Sequence, residues 1–373
     1  MAPRVLLSGL ALDQPMGGVV RHARELLPRA GRLLAQRGGS LAVLEGRGGL
    51  PLTLPPEVER VPCSVPAQPA LVRASLETGS LRRALAGAAA RGRAFDLVHT
   101  AHLPAPRSLP LPYTLLLHDL KSLRSAHEPL PRRLVAHTVV GRAVRGAALV
   151  ITVSEALREE VLELSGIPPE RVRVVPNAAD HLTPLERAPQ GDSPLVHVGH
   201  VERRKNLALL LHALARDPSL PRLVLAGAPK GREDMRLRDL AARLGVSARV
   251  EFVGVLDDAG LARLYARAAC AIFPSWREGF GIPALEARLA GVPVAVSRSA
   301  ALLEVAGGET PSFAPDDPAG CAAAIRAALA TPREALARAA ERARSFRWDD
   351  SAARRGEAWT AAAGSPAARR PGG

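Results

Sequence analysis

Two glutamates eight residues apart bracket the stretch Glu278-Gly279-Phe280-Gly281-Ile282-Pro283-Ala284-Leu285-Glu286. Pro283 suits the first position of a helix and Gly291 its C′ stop, so Glu286 falls in the first turns and leans toward the helix N-terminus. A carboxylate there can accept from both hydroxyls of a vicinal diol such as a ribose. It can equally complement the helix dipole, worth about 0.3 to 1 kcal/mol. Short apolar runs at Ala271 to Phe273 and Val292 to Val296 complete a βαβ unit. Glycine loops between a strand end and a helix N-terminus are where open α/β sheets hold phosphorylated ligands.

A second chemical stretch follows the apolar run Leu195 to Val198, reading Gly199-His200-Val201-Glu202-Arg203-Arg204-Lys205-Asn206. Three consecutive cations repel one another and face the positive end of the next helix, a double penalty that a bound anion relieves and that a solvated loop merely tolerates. Only three of the fifty cations in the chain are lysines, Lys121, Lys205 and Lys230, so a lysine in such a loop is more informative than an arginine. In the first half, Leu115 to Leu117 delivers His118-Asp119 to a strand end, and Val150 to Val153 delivers Ser154-Glu155, with Ser154 placed to cap a helix. Gly17-Gly18 after the first strand lets backbone amides approach a phosphate or sugar closely.

The paired-glutamate stretch resembles the signature of the GT-B retaining glycosyltransferases of family four, and the resemblance runs over nearly the whole chain, most strongly from Leu195 to Pro315. It implies that Lys205 faces the diphosphate of a nucleotide sugar, with Arg204 or Arg203 as the second cation. By the same resemblance Glu278 contacts the transferred sugar, Glu286 the ribose, and the Val255 and Leu256 backbone the base. The amides of Gly279, Phe280, Gly281 and Ile282 face the diphosphate. His118 and the Gly17 and Gly18 amides lie on the opposite wall of a cleft. His118, Lys205 and Glu278 are thus the expected catalytic residues, with the others binding donor. His200 stands where the family has an arginine. The wording around Gly199 and His118-Asp119-Leu120 is similar to the mannosyltransferase-type subgroup, which makes GDP-mannose the expected donor.

These residues need a scaffold that places strand ends side by side. Apolar runs alternate with helical segments throughout, as in doubly wound parallel sheets, and 373 residues suit two such domains. The expected architecture is therefore α/β, two Rossmann-like domains facing across a cleft. Residues 1–185 form the acceptor side and 190–347 the donor side, with a last helix at 350–364 crossing back to the first. Thr183 to Ser193 is the expected linker, and Ser365 to Gly373 an expected disordered tail.

Composition narrows the classes. A net charge of +14 admits nucleic acid or anionic membrane as partner, yet aromatics are only 3% and the arginines are spread along helices, which argues against stacked bases. Two arginine groups, Arg21, Arg24, Arg29 and Arg32, then Arg132, Arg133, Arg142 and Arg145, leave the first domain as the candidate for weak lipid contact. Cys63, Cys270 and Cys321 lack metal-ligand spacing and read as reduced core residues of a cytoplasmic protein. Val5 to Leu12 is too short for a signal peptide, and no run approaches 18 apolar residues, so a soluble or peripheral protein is expected. No Asp-x-Asp or clustered ligand set predicts a metal, and no cofactor is expected beyond the nucleotide-sugar substrate. A GT-B epimerase or phosphorylase, or a basic nucleic-acid-binding protein, are the alternatives.

Overall fold

The computed structural model describes residues 1–12, 17–106, 108–120 and 130–365, so Lys121 and most of the expected tail lie outside the described residues. The chain divides into two compact units, Met1–Asn177 with Trp348–Gly373, and Ala178–Arg347. Each is built on a wholly parallel sheet.

In the N-terminal unit the strands are β1 (Arg4–Ser8), β2 (Ser40–Glu45), β3 (Val58–Pro62), β4 (Leu97–Thr100), β5 (Tyr113–Leu117), β6 (Leu149–Thr152) and β7 (Val172–Val174), in the order β3-β2-β1-β4-β5-β6-β7. Most are near-continuous Leu, Val and Ile runs, buried because helices cover both faces of such sheets. The helices are α1 (Gly18–Gln36), α2 (Ala70–Ala90), α3 (Leu130–Gly146) and α4 (Glu155–Ser165). Ser154 starts α4 as expected, its hydroxyl accepting from the Leu157 amide at 3.1 Å. Strand β3 escapes sequence reading because it lies at the sheet edge, where Glu59 and Arg60 interrupt the apolar pattern.

In the C-terminal unit the order is β10-β9-β8-β11-β12-β13, with β8 (Leu195–Val198), β9 (Leu223–Ala226), β10 (Val250–Gly254), β11 (Cys270–Phe273), β12 (Val294–Ser297) and β13 (Ser312–Phe313). Its helices are α5 (Leu207–Arg216), α6 (Glu233–Arg243), α7 (Asp258–Arg267), α8 (Ile282–Leu289), α9 (Ala300–Ala306), α10 (Pro318–Leu329) and α11 (Arg333–Arg344). Asp257 caps α7 by accepting from the Gly260 amide at 2.7 Å. In each sheet the strand order reverses beside the first strand, between β1 and β4 and between β8 and β11. Loops at such a switch point splay apart and leave a crevice.

The boundary between the units falls at Asn177, not at 185 to 190. Ala178 and Ala179 are fully buried and Leu182 joins the core of the C-terminal unit. The segment expected as linker is strapped to that unit too, since Arg187 donates to the carbonyls of Ala268 and Gly291 and the Ala188 amide donates to Ala266 O. The last helix, α12 (Trp348–Ala363), belongs to the N-terminal unit, where it packs on α1. There Arg29 reaches Asp349 at 3.0 Å and Ser351 donates to Pro176 O at 2.7 Å. The three cysteines are free, and Cys63 is only half buried. Among the described residues no helix is long and apolar enough to cross a membrane.

Candidate functional site

The two loops that straddle the β8/β11 switch point carry most of the chemistry. After β8, Arg203–Lys205 form one turn of 3₁₀ helix that ends at Asn206 in the left-handed region, φ 54°, a conformation asparagine tolerates better than most residues. Its side-chain amide donates to the carbonyls of Pro274 (3.2 Å) and Pro315 (2.6 Å), fixing the turn to the loop after β11. The Trp276 amide donates to Arg204 O at 3.1 Å, and Arg204 Nη1 returns a bond to Arg277 O at 3.0 Å. Close approach of the strand ends depends on Gly227, φ 149°, whose amide donates to Gly254 O at 2.6 Å. A Cβ there would stand 1.9 Å from Gly199 O.

This stitching brings the predicted residues Lys205, Arg204 and Glu278 into direct contact. Glu278 accepts from Lys205 Nζ at 2.6 Å, Arg204 Nη1 at 2.7 Å and Ser275 Oγ at 2.6 Å. Burial raises the carboxyl pKa, but the two cations and the hydrogen bonds outweigh it and hold the group at about 2. Glu278 is thus a permanently ionised anchor and a poor proton acceptor, with a side chain 9% exposed. The expected repulsion among three cations is met from within the unit. Arg204 also pairs with Glu202 at 2.8 Å, Lys230 with Glu202 at 3.6 Å, and Arg203 and Arg236 share Glu233. Five cations thus share three carboxylates, leaving a surplus of two positive charges.

His200 is half buried, and burial, then Lys230, lowers its pKa, so it stays neutral near pH 7 and adds no charge. His197, unremarked in the sequence, is fully buried on β8 and donates from Nδ1 to Ile272 O at 2.9 Å. Burial and then Lys205 push it down to about 4.

Helix α8 starts beside this cluster. Gly281 caps it at φ 106°, where a Cβ would lie 2.8 Å from Leu302 Cδ2, so only glycine serves. Glu286 is 4% exposed and its oxygens accept from His181 Nε2 (3.0 Å) and Tyr265 OH (3.2 Å), two partners that sequence reading missed. A ribose would share this carboxylate with both. Two expected ligand groups turn their side chains to the core: Phe280 is buried and packs edge-to-face on Phe346 at 6.0 Å, and Leu256, partly buried, packs against the cluster around Tyr265. Ile282 is buried as well, whereas Val255 is 44% exposed. For these buried positions only the backbone remains as a ligand group.

In the N-terminal unit Gly17 (φ 126°) caps α1, and Gly18 is its first residue. His118 follows β5 directly. Burial, and then the Arg355 guanidinium, push its pKa down to about 4, and its buried Nε2 has no hydrogen-bond partner. Around it lie residues not singled out in the sequence: His22 of α1, His99 of β4, Asn177 after β7 and Arg355 of α12. They come from segments up to 333 positions apart, and no short-range spacing signals them. Among the described residues no three His, Cys, Asp or Glu side chains cluster as metal ligands.

Comparison with known proteins bears on both units. The profile of Glycosyl transferases group 1 matches residues 185–346, and that of Glycosyltransferase Family 4 matches residues 16–181. The chain is 31% identical over 405 residues to a D-inositol 3-phosphate glycosyltransferase of Geodermatophilus obscurus, covering 94% of this chain and 87% of that one. It is 36% identical over 209 residues to a glycogen synthase of Mycobacterium tuberculosis, covering 54% of this chain and 50% of that one. The chain thus spans about half the length of the first curated relatives it matches. The fold is similar to that of a sucrose-phosphate synthase from Thermosynechococcus elongatus, with a TM-score of 0.78, 22% identity, and 96% and 98% of the two chains covered.

Proposed function

The chain belongs to the group 1, family 4 glycosyltransferases, and from that premise we propose that it moves a hexosyl group from a nucleotide diphosphate sugar to an acceptor hydroxyl, with retention at the anomeric carbon. The observation that carries this reading is the placing of the Lys205 and Arg204 cations by Glu278 at the β8/β11 switch point, beside the N-terminus of α8. A leaving nucleoside diphosphate builds negative charge on its bridging oxygen, and prepositioned cations and amides offset it without reorganisation. In the reaction, the bond from the anomeric carbon to that oxygen breaks, the bond to the acceptor oxygen forms, and the acceptor proton leaves with the diphosphate.

Lys205 is the group that meets the leaving diphosphate, with Arg204 in the place of the arginine that His200 displaces. Glu278 holds both cations in register and contacts the sugar, and Glu286 contacts the ribose. His118 acts on the sugar as an uncharged imidazole. No metal takes part. The donor is GDP-mannose, a reading that rests on the wording around Gly199 and His118. The acceptor is a glycan or lipid-linked hydroxyl in polysaccharide or glycolipid synthesis at the inner face of the membrane.

A thermal-shift panel of GDP, UDP, ADP and dTDP tests the donor. A ligand at 100 times its Kd adds about 2.7 kcal/mol of stability, so the matching base should stand clear of the other three. A flat panel would remove the nucleotide-sugar reading. Membrane contact through the N-terminal unit is weaker than the arginine count suggests, because Arg21 and Arg29 are paired with Glu25 and Asp349. Arg4, Arg83 and Arg91 line a cavity of about 300 Å³ on the same unit and support it, while Arg93 there is paired with Glu59 at 2.6 Å. Binding to anionic vesicles that survives high salt would count against this electrostatic contact.

A further inference from the structure

Helix α12 carries a guanidinium into the interior of the N-terminal unit, where its hydrogen-bond partners are two imidazoles. Arg355 is 1% exposed, and among the described residues no carboxylate pairs with it. Its Nη1 donates to His99 Nε2 and its Nη2 to His22 Nε2, each at 3.0 Å. The Trp359 ring centroid lies 5.8 Å from its guanidinium carbon.

The direction of these bonds settles the imidazoles. A guanidinium only donates, so both Nε2 atoms carry lone pairs and both rings hold their proton on Nδ1. The second nitrogen of each ring agrees: His22 Nδ1 donates to Asn177 Oδ1 at 2.6 Å, and His99 Nδ1 donates to Thr114 Oγ1 at 2.7 Å. His22 is thereby fixed at both nitrogens, and its ring stands perpendicular to that of His118, centroids 4.8 Å apart at 86°. On its other side His22 meets Trp348, again edge-on at 5.8 Å. Protonating His22 or His99 would cost Arg355 an acceptor and set a second cation against it.

We propose that Arg355 is a positioning residue for His118: through His22 it fixes the orientation of the His118 ring, and it sets a positive charge near it. The proposal rests on the reading of His118 as a sugar-facing group. Among the described residues, the groups that face His118 are His22 from α1, His99 from β4, Arg355 from α12 and, on its own loop, Asp119. Burial and Arg355 oppose a proton on His118, while Asp119 favours one, and the first two win. The ring is held neutral across the physiological range, so a sugar hydroxyl meets an uncharged imidazole. His99 completes the cluster from β4, with its own pKa lowered by burial and then by Arg355.

Long-range ¹H–¹⁵N spectra of the full-length protein, labelled on histidine, test the arrangement directly. In the unaltered protein His22 and His99 should both give the Nδ1–H pattern, and His118 should remain unprotonated at pH 5. An Nε2–H pattern for either ring would overturn the proposal without any variant. In Arg355→Met the His118 titration should move up by about one unit or more, and turnover should gain an acid limb absent from the parent. Arg355→Lys should restore the low titration but not both tautomers, since one ammonium is a poor match for two imidazoles. If Arg355→Met lowers only the melting temperature, with tautomers and titration intact, Arg355 is a packing residue and the proposal fails. Full activity in His118→Ala would instead overturn the role given to His118, and the consequence for turnover with it. The spectra test the hold of Arg355 on the cluster separately.

Discussion

Replacing Glu278 by glutamine isolates the anchor of the cationic platform. The side chain keeps its shape and can keep the Ser275 hydrogen bond at 2.6 Å, while the charge between Lys205 and Arg204 disappears. The carboxyl is held at about 2 against an ordinary 4.5, and at 1.36 kcal/mol per unit the ionised form gains about 3 kcal/mol from its surroundings. Removing the carboxylate that pairs with Lys205, and one of the two that meet Arg204, should therefore cost about 3 kcal/mol, roughly 6 to 12 °C in the unfolding midpoint of a unit of this size. A depressed carboxyl pKa stabilises above its unfolded value and loses that effect as the pH falls through its folded value. The gap between parent and variant should hold from pH 7 to about 4.5 and close toward pH 2. With Lys205 and Arg204 released, GDP should bind about tenfold more tightly, a gain of about 1.4 kcal/mol, while kcat falls because the cations are no longer in register. Urea unfolding, calorimetric titration with GDP and steady-state turnover read the three effects. A variant as stable and as active as the parent would refute the reasoning.

Lys205→Ala should lose at least about 10²-fold in kcat while EDTA changes the parent by less than about twofold, and abolition by EDTA with rescue by Mn²⁺ would overturn the metal-free mechanism. Glu286→Ala strips the acceptor from His181 and Tyr265 in a buried site, so it should cost about 1 to 3 kcal/mol in stability as well as raise donor KM; an unchanged melting temperature would mean that the two are satisfied elsewhere. Acid should destabilise the protein well before its carboxylates titrate. His118 and His197 are each held at about 4 against 6.5, so stability rises with pH between those values, and at pH 5 each site costs about 2 kcal/mol relative to pH 7. A flat stability profile between pH 5 and 7 would contradict this.

Much of the C-terminal site was legible because its parts are local. Glycine, proline and glutamate between Ser275 and Gly291 sit within one βαβ unit, where the positive φ at Gly281 and the Pro283 start are demanded by the backbone itself. The strand ends were legible for the same reason, since runs such as Leu195–Val198 and Cys270–Phe273 are buried on both faces. What spacing could not give was the pairing. The sequence offers three cations in a row and suggests an absent anion, yet the fold supplies Glu202, Glu233 and Glu278 from three segments, and only the surplus is left for a ligand.

The N-terminal unit solves the same electrostatic problem the other way round, and this is why its site was hardest to read. Lys205 and Arg204 are tolerated near the interior because carboxylates meet them, a pattern that charged residues in sequence at least hint at. Arg355 is tolerated because His22 and His99 surrender lone pairs and stay neutral, and an imidazole that must remain uncharged leaves no trace in a charge count. The same histidine spacing would suit a solvated helix face or a metal site, and only the direction of donation from a fully buried guanidinium separates these readings. A cation held by acceptors that lose their lone pairs on protonation is stable only above the pH at which they titrate, so the N-terminal unit should lose His118 order before it unfolds as the pH is lowered. In the C-terminal unit, Glu278 is ionised down to about pH 2, and the Lys205 platform should outlast that loss of order.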